Sequence, residues 1–413
     1  MSTRLTTVAK RRLNVGELKI ADLCLVFFAI SCIGFDDGSS VAKMSRVAIL
    51  IGAFFELRDR PVRFNGYLAW LASFALLVFV SRFWAFNVIA ATELFPTVLY
   101  NSLCFACAAY LLWKDMRRIK LVMVCMIAGS LILEARVIAA AGVFAFLGGA
   151  RSTGSISANT VGMFSSFAAF MAYGLYREGK KKQKVYLVFC TMDVCFALLS
   201  ASRKALMVMC LVVLLLVLFG KSKIALFGKF GKLSVALIAV LIVSFLVMNV
   251  PFLYELIGVR MEGMINGFFG MGAQVDASTR TRMNLVEYGM DRFYSSPIIG
   301  YGADNFRALM AAYHPGQTAY YAHNNYVELL VSYGVVGTAM YYAIYVAILA
   351  RGIKRVRRLP YTFLVLLCLA LGLLVMDYGM VEYYSRDAQL FIMLSWSALV
   401  GLYSGIPECP NDK

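Results

Sequence analysis

Apolar stretches of roughly 17–25 residues recur along the whole chain, each bounded by short polar or basic segments; a helix of that length crosses the hydrocarbon core of a bilayer. The pattern predicts spans over 20–34, 41–56, 67–82, 96–113, 120–139, 159–176, 185–200, 205–219, 233–250, 325–350, 361–380 and 388–404. The split of 185–219 into two helices rests on the short turn SASRK, Ser200–Lys204. The first run, Ala21–Ile33, lacks a small-residue cleavage site, so it reads as a retained span and not as a secretory signal.

Composition supports this class. The 413 residues are 61% hydrophobic and 15% charged, with a mean hydropathy of +0.74. A soluble domain is nearer half apolar and a quarter charged. The pattern therefore predicts an all-α polytopic membrane protein and excludes soluble domains joined by linkers.

The net charge of +17 would suit nucleic acid, but its distribution argues against that partner. Basic residues cluster between apolar runs, as they do where charge fixes membrane orientation. With the N-terminus in the cytoplasm, the inner segments are 1–19, 56–66, 114–120, 177–184, 220–232, 351–360 and 405–413. They hold 27 of the 40 Lys and Arg residues. Twelve spans with both termini inside follow. Cys104 and Cys107 have CxxC spacing but no second pair and no nearby histidine, so they read as small buried hydrophobes and not as a zinc site.

One outer connection is long. The chain divides into spans one to nine (1–250), an extracytoplasmic loop (251–324), and spans ten to twelve with a cytoplasmic tail (325–413). Long connections in compact proteins are usually functional or disordered. This one carries helical patterning over Met283–Phe293 and a Gly-rich turn, PIIGYGADNF, Pro297–Phe306. It is expected to fold against the outer membrane face and to carry part of an active site.

The chain has only two histidines, His314 and His323. His323 precedes Asn324 and Asn325, both good helix N-caps, and the tenth span follows. Eleven residues, about three helical turns, separate His323 from Gly334, so both share a face if the helix extends back that far. Gly334 and Gly337 then lie one turn apart, where small residues let another helix approach. The spacing reads as a histidine held over a close helix contact, or as an interfacial histidine without a role.

His323-Asn324, nine residues, then Gly334-Val335-Val336-Gly337-Thr338 resembles the HN-x9-GxxGT signature of the bacterial O-antigen ligase and polymerase superfamily. DASTRTRMNLVEYGMDRFYSSPIIGYGADNF, Asp276–Phe306, resembles that family's arginine-bearing loop helix and turn. SASRKALM, Ser200–Met207, resembles its short arginine-containing turn between two spans. The resemblance implies a GT-C-like, metal-independent, inverting glycosyltransferase of the bacterial inner membrane, with its site facing outward and no cofactor. It implies a glycan donor on a polyprenyl pyrophosphate, a glycan acceptor, surrounding lipid, and a chain-length regulator protein as a further partner.

The residues suit that chemistry. Without a metal, cations must stabilise the departing pyrophosphate, and the arginine fork binds phosphate oxygens in pairs. By resemblance Arg203 and Arg282 take this role, with Arg280 as the fallback for Arg282. His323 serves as base, or, protonated, pairs with phosphate. Asn324 and His314 are candidate substrate contacts. The alternative for the arginines is ordinary lipid head-group contact.

Other polar residues are weaker candidates. Asp193, in mid-span, either holds an arginine or faces a wet cavity. Glu134 and Arg136 are expected to pair. Asp377 and Glu382 lie with Tyr378, Tyr383 and Tyr384 at an outer helix end, where tyrosines usually form an interfacial belt.

The sequence shows no P-loop and no nucleotide-sugar motif. It leads to a polymerase of surface polysaccharide, O-antigen or capsule, with an O-antigen ligase or protein O-oligosaccharyltransferase as the alternative. A polysaccharide transporter or flippase is the distant alternative. It is disfavoured because the polar candidates gather at the outer face and no half-repeat is seen.

Overall fold

The computed structural model describes residues 18–58, 64–142, 152–153, 156–179, 183–200, 202–220, scattered positions in 231–262, 277–315 and 318–401. It is almost entirely helical. In chain order the helices are α1 (Ile20–Gly34), α2 (Ser40–Leu57), α3 (Gly66–Ser81), α4 (Val88–Leu112) and α5 (Met116–Ala141). They continue as α6 (Ala158–Glu178), α7 (Val185–Leu199), α8 (Arg203–Phe219), α9 (Ala277–Ser295) and α10 (Phe306–Tyr313). The last are α11 (Asn325–Lys354), α12 (Tyr361–Asp377) and α13 (Arg386–Trp396), which runs on as a π-turn over Ser397–Gly401.

A helix lies at every expected span except 233–250, half of which falls outside the described residues, the described positions up to 249 being helical. By length and composition α4, α5 and α11 can each cross a membrane, and α1, α3, α7 and α12 are shorter apolar helices. Among the described residues, the one departure from an all-α fold is a pair of two-residue antiparallel strands, Ser152–Thr153 and Ile156–Ser157, leading into α6. The helix expected from 96 starts eight residues earlier, because Asn87 caps it by accepting from Ile89 N and Ala90 N. Pro96 therefore lies inside α4.

Buried ion pairs fix both ends of the bundle. At the end assigned to the cytoplasm, Arg118 is 3% exposed and donates to Asp22 of α1 at 2.6 Å and to Glu56 of α2 at 3.0 Å. One of the basic residues that orients the chain is thus also an internal strut. A charge buried with matched partners holds geometry, and removing one partner strands the other. At the opposite end Arg386 of α13 donates to the Ser31 and Phe35 carbonyls, closing the C-terminus of α1.

Two sequence expectations fail here. Arg136 does not pair with Glu134; two residues apart on a helix, they point in different directions. Arg136 bonds Asp36 and the Gly34 carbonyl instead, while Glu134 accepts from Ser165. Tyr383 is not a belt residue either. It is 1% exposed and packs between Phe74 and Tyr333.

The largest surprise is in α11. Gly334 has φ +62° and ψ −166°, so the helix breaks there and no continuous face joins it to Gly337. The break costs the bonds that Val335 N and Val336 N would make to Val331 and Ser332. The loop turn restores all four groups. Tyr301 N and Gly302 N donate to the Val331 and Ser332 carbonyls at 2.9 and 2.8 Å. Val335 N and Val336 N donate to the Pro297 and Ile298 carbonyls at 2.8 and 3.2 Å. Backbone inside a membrane must be satisfied by protein. What approaches Gly334 is therefore the backbone of a loop turn, and not a second helix. A Cβ there would lie 2.2 Å from the Ile298 oxygen, and one on Gly300 would lie 2.5 Å from the Val331 oxygen.

Candidate active site

The loop docks through a small apolar cluster of its own. Leu285 and Tyr288 of α9 pack with Phe306, Leu309 and Met310 of α10, and with Val327 and Val331 of α11. This seats α9 beside the start of α11, so its arginine segment meets the residues just before that helix. The loop turn is anchored on its other side as well. Phe86 N donates to the Tyr301 carbonyl at 2.9 Å, and Ala303 N to Ser81 Oγ at 3.1 Å.

His323 lies one residue outside α11's N-cap, with φ +52°. A non-glycine residue in this left-handed region carries strain, which clusters at functional sites. Its ring lies 4.0 Å, centre to centre, from that of Tyr321. Burial first, and then the charges of Arg282 and Lys204, push its pKa down to about 4. The imidazole is therefore neutral at physiological pH and able to accept a proton.

The arginine-bearing segments converge on this place. Arg203 opens α8 after its N-cap Ser202, and its guanidinium reaches Thr279 of α9 at 3.4 Å. The turn between two spans thus touches the loop helix. Lys204 follows and donates to the Gly379 carbonyl beyond α12. Arg282, half-buried on α9, is close enough to act on both His323 and Lys204. Arg280, two residues earlier, is exposed. The result is a group of basic side chains in which Arg282 and Lys204 act on a neutral histidine and Arg203 stands next to Lys204; burial first, and then the Arg282 charge, bring the Lys204 amine down to about 7, so it is only partly protonated at neutral pH.

Of the remaining candidates, Asn324 is committed to α11's N-cap, its side-chain oxygen accepting from Tyr326 N and Val327 N. His314 caps α10 and packs edge-on against Tyr288 at 4.6 Å, within the loop's apolar cluster. Asp193 is fully buried, and neither of its oxygens has a hydrogen-bond donor; its neighbour is Glu134 and not an arginine.

Asn325 emerges with a larger part than capping. Fully buried, it donates to Tyr342 and to Asp377, and accepts from Glu382 N at 3.0 Å and Tyr383 N at 3.1 Å. Tyr342 also donates to Asp377 at 2.8 Å. This network ties the foot of α11 to the connection between α12 and α13. Burial and the nearby Asp387 charge push the Glu382 carboxyl well above the usual carboxylate range. Lys204 was legible beside Arg203 in SASRK, whereas nothing in the sequence marks Asn325 as the tie.

Helices apolar enough to span a membrane describe a multi-pass membrane protein, and its loop helix brings Arg282 beside His323. Residues 185–342 match the family model described as O-antigen ligase, a match consistent with the O-antigen ligase and polymerase superfamily. The matched region contains all three motifs, SASRK, the loop helix and turn, and HN-x9-GxxGT. No curated protein matches the chain. The matched family implies substrates that are glycans linked to lipid.

Proposed function

We propose that the protein is a polymerase of surface polysaccharide repeat units, moving glycan from a polyprenyl pyrophosphate to a sugar hydroxyl of another lipid-linked unit. The observation that carries this reading is Arg282 and Lys204 beside a neutral His323, with Arg203 next to Lys204 and reaching the same loop helix at Thr279. The acceptor oxygen attacks the donor's anomeric carbon from the face opposite the pyrophosphate. A new C–O bond forms as the bond to the phosphate oxygen breaks, and its electron pair leaves on the pyrophosphate. The hydroxyl proton passes to the His323 imidazole, and the configuration inverts. Arg203 and Arg282, with Lys204 where it is protonated, meet the charge that builds on the leaving group, the largest demand in such a step, with no metal required.

Twelve spans, both termini in the cytoplasm and a site at the outer face of the bacterial inner membrane complete the proposal. They rest on the placement of basic segments and on the helix positions.

The test uses purified protein in detergent with a defined polyprenyl-pyrophosphate oligosaccharide and no other acceptor, products resolved by size. A ladder of lengthened lipid-linked glycan, lost in His323→Ala, supports the polymerase. Transfer that begins only when a lipid A-core or protein acceptor is added makes it a ligase or O-oligosaccharyltransferase of the same chemistry. No transfer to any acceptor, with donor and protein intact, defeats the glycosyltransferase reading.

A further inference from the structure

An open cavity of about 540 Å³ lies beside the cation group, separated from it by Tyr321. Its wall is built from the C-terminal end of α1, the start of α4, the entry to α6, the loop turn at Asp304–Arg307 and the segment leading into α13. Each of these points lies at the outer end of its helix in the orientation set by the basic segments. The volume falls within the roughly 300–1,000 Å³ of sites that hold small molecules.

The wall has a definite chemistry. Carboxylates come from Asp36, Asp37, Glu93, Asp304 and Asp387, and aromatic faces from Tyr321 and Tyr384. Sugar hydroxyls donate to carboxylates, and the apolar face of a pyranose packs on aromatic rings. The arginines of the wall do not offset this. Arg386 closes the end of α1 and pairs with Asp37, and Arg307 stands against Asp304. Behind the wall, Arg136 pairs with Asp36 and Arg46 with Asp37. Four arginines thus answer five carboxylates, and the wall keeps an excess of one carboxylate.

Tyr321 fixes the relation to the reaction. One side of its ring stacks near His323, with Arg282 and Lys204 beyond; the same residue borders the cavity. A pyrophosphate on the cation side and a sugar on the carboxylate side put the acceptor's reacting hydroxyl at the Tyr321 edge of the cavity, on the His323 side, with the donor's anomeric carbon between that hydroxyl and the leaving group. We infer that this cavity holds the sugar that receives the glycan, and that its carboxylate-rich wall admits neutral or amino-bearing sugars and excludes uronates. The inference rests on the transferase reading for the word acceptor, but the binding it describes is measurable without turnover.

The experiment is saturation-transfer NMR on the full-length protein in detergent, with no donor present. The probes are a neutral disaccharide, its amino-sugar counterpart and its uronate counterpart. The neutral and amino sugars receive saturation, and the uronate receives about tenfold less, the size of one unfavourable charge contact. Thr97→Trp places an indole in the cavity from exposed helix surface and abolishes the signal, while thermal unfolding shows the variant folded. Glu93→Gln raises the uronate signal toward the neutral one.

Equal saturation by all three sugars overturns the selectivity. A signal untouched by Thr97→Trp overturns the location. Both results leave the transfer reaction standing, since the size ladder tests that separately. Sugar binding in the cavity without any transfer would sink the transferase reading and with it the acceptor role.

Discussion

The carbonyl oxygen of Ile298 occupies the space that a side chain on Gly334 would need, 2.2 Å from an ideal Cβ. The two residues belong to a loop turn and to a membrane helix, and the contact is backbone to backbone. Gly334→Ala therefore faces both a steric clash and a left-handed φ. The expected loss is at least about 2 kcal/mol of stability, with activity falling to background. Thermal unfolding in detergent beside a transfer assay checks this; a variant as stable as wild type would mean the joint relaxes without cost.

His323→Ala should remove nearly all transfer while leaving the unfolding temperature close to wild type. The residue sits at the foot of a helix whose cap is Asn324, so its loss costs little packing. Loss of base catalysis is worth about 10²–10⁴ in rate. Full activity in this variant would remove His323 from the chemistry.

The pH profile carries a sign. The imidazole titrates at about 4 and not at its ordinary 6.5, through burial first and then the Arg282 and Lys204 charges. Between those values the unfolded chain holds a proton that the folded chain does not. The stability contributed is present in full above 6.5 and is lost as pH falls through about 4. The acid limb of kcat/KM, which reports the free enzyme, should likewise lie near 4. Arg282→Gln should move it upward, and a wild-type inflection near 6.5 would contradict the arrangement.

Arg282→Lys keeps the charge and loses the fork. A drop of about 10²-fold in kcat is expected, the scale of losing one preorganised donor to the leaving group. Arg280→Lys, on the exposed side of α9, should stay within a few-fold of wild type. A fully active Arg282→Lys protein would reduce the role of Arg282 to simple charge attraction.

Asn325→Ala leaves Glu382 N, Tyr383 N and part of the Asp377 carboxyl without their partner in a buried place. Unsatisfied buried groups cost about 1–3 kcal/mol each. Asn324→Ala loses only a cap, about 1 kcal/mol. Unfolding of the two variants side by side should rank Asn325 well above its neighbour; the reverse order would show that capping and not the buried network dominates.

Much of this was readable from the residues in order. Span positions follow from apolar runs, because a bilayer imposes one length on every helix. The split after Leu199 showed in SASRK, and the loop helix showed in its periodicity. The break at Gly334 did not show. A glycine inside an apolar run looks the same whether it admits a neighbouring helix or turns left-handed, and only the turn at Pro297–Gly302, more than thirty residues upstream, decides between them. Asn325 was hidden for a similar reason. Its partners Asp377, Glu382 and Tyr383 are more than fifty residues away, and local pattern carries no record of them. Glu134 and Arg136 misled because nearness in sequence suggested a pair that helix geometry forbids.

The joint at Gly334 also bears on how the molecule is assembled. During synthesis residues 297–302 emerge before 331–336, so the turn is made while its carbonyls and amides still wait for their counterparts. α11, arriving later, carries two helical bonds it cannot make by itself. Neither segment has a finished form in the absence of the other, and each completes its partner in a single event. Arg282 precedes the turn and His323 precedes α11, so the joint between these two segments helps hold the two residues at their spacing.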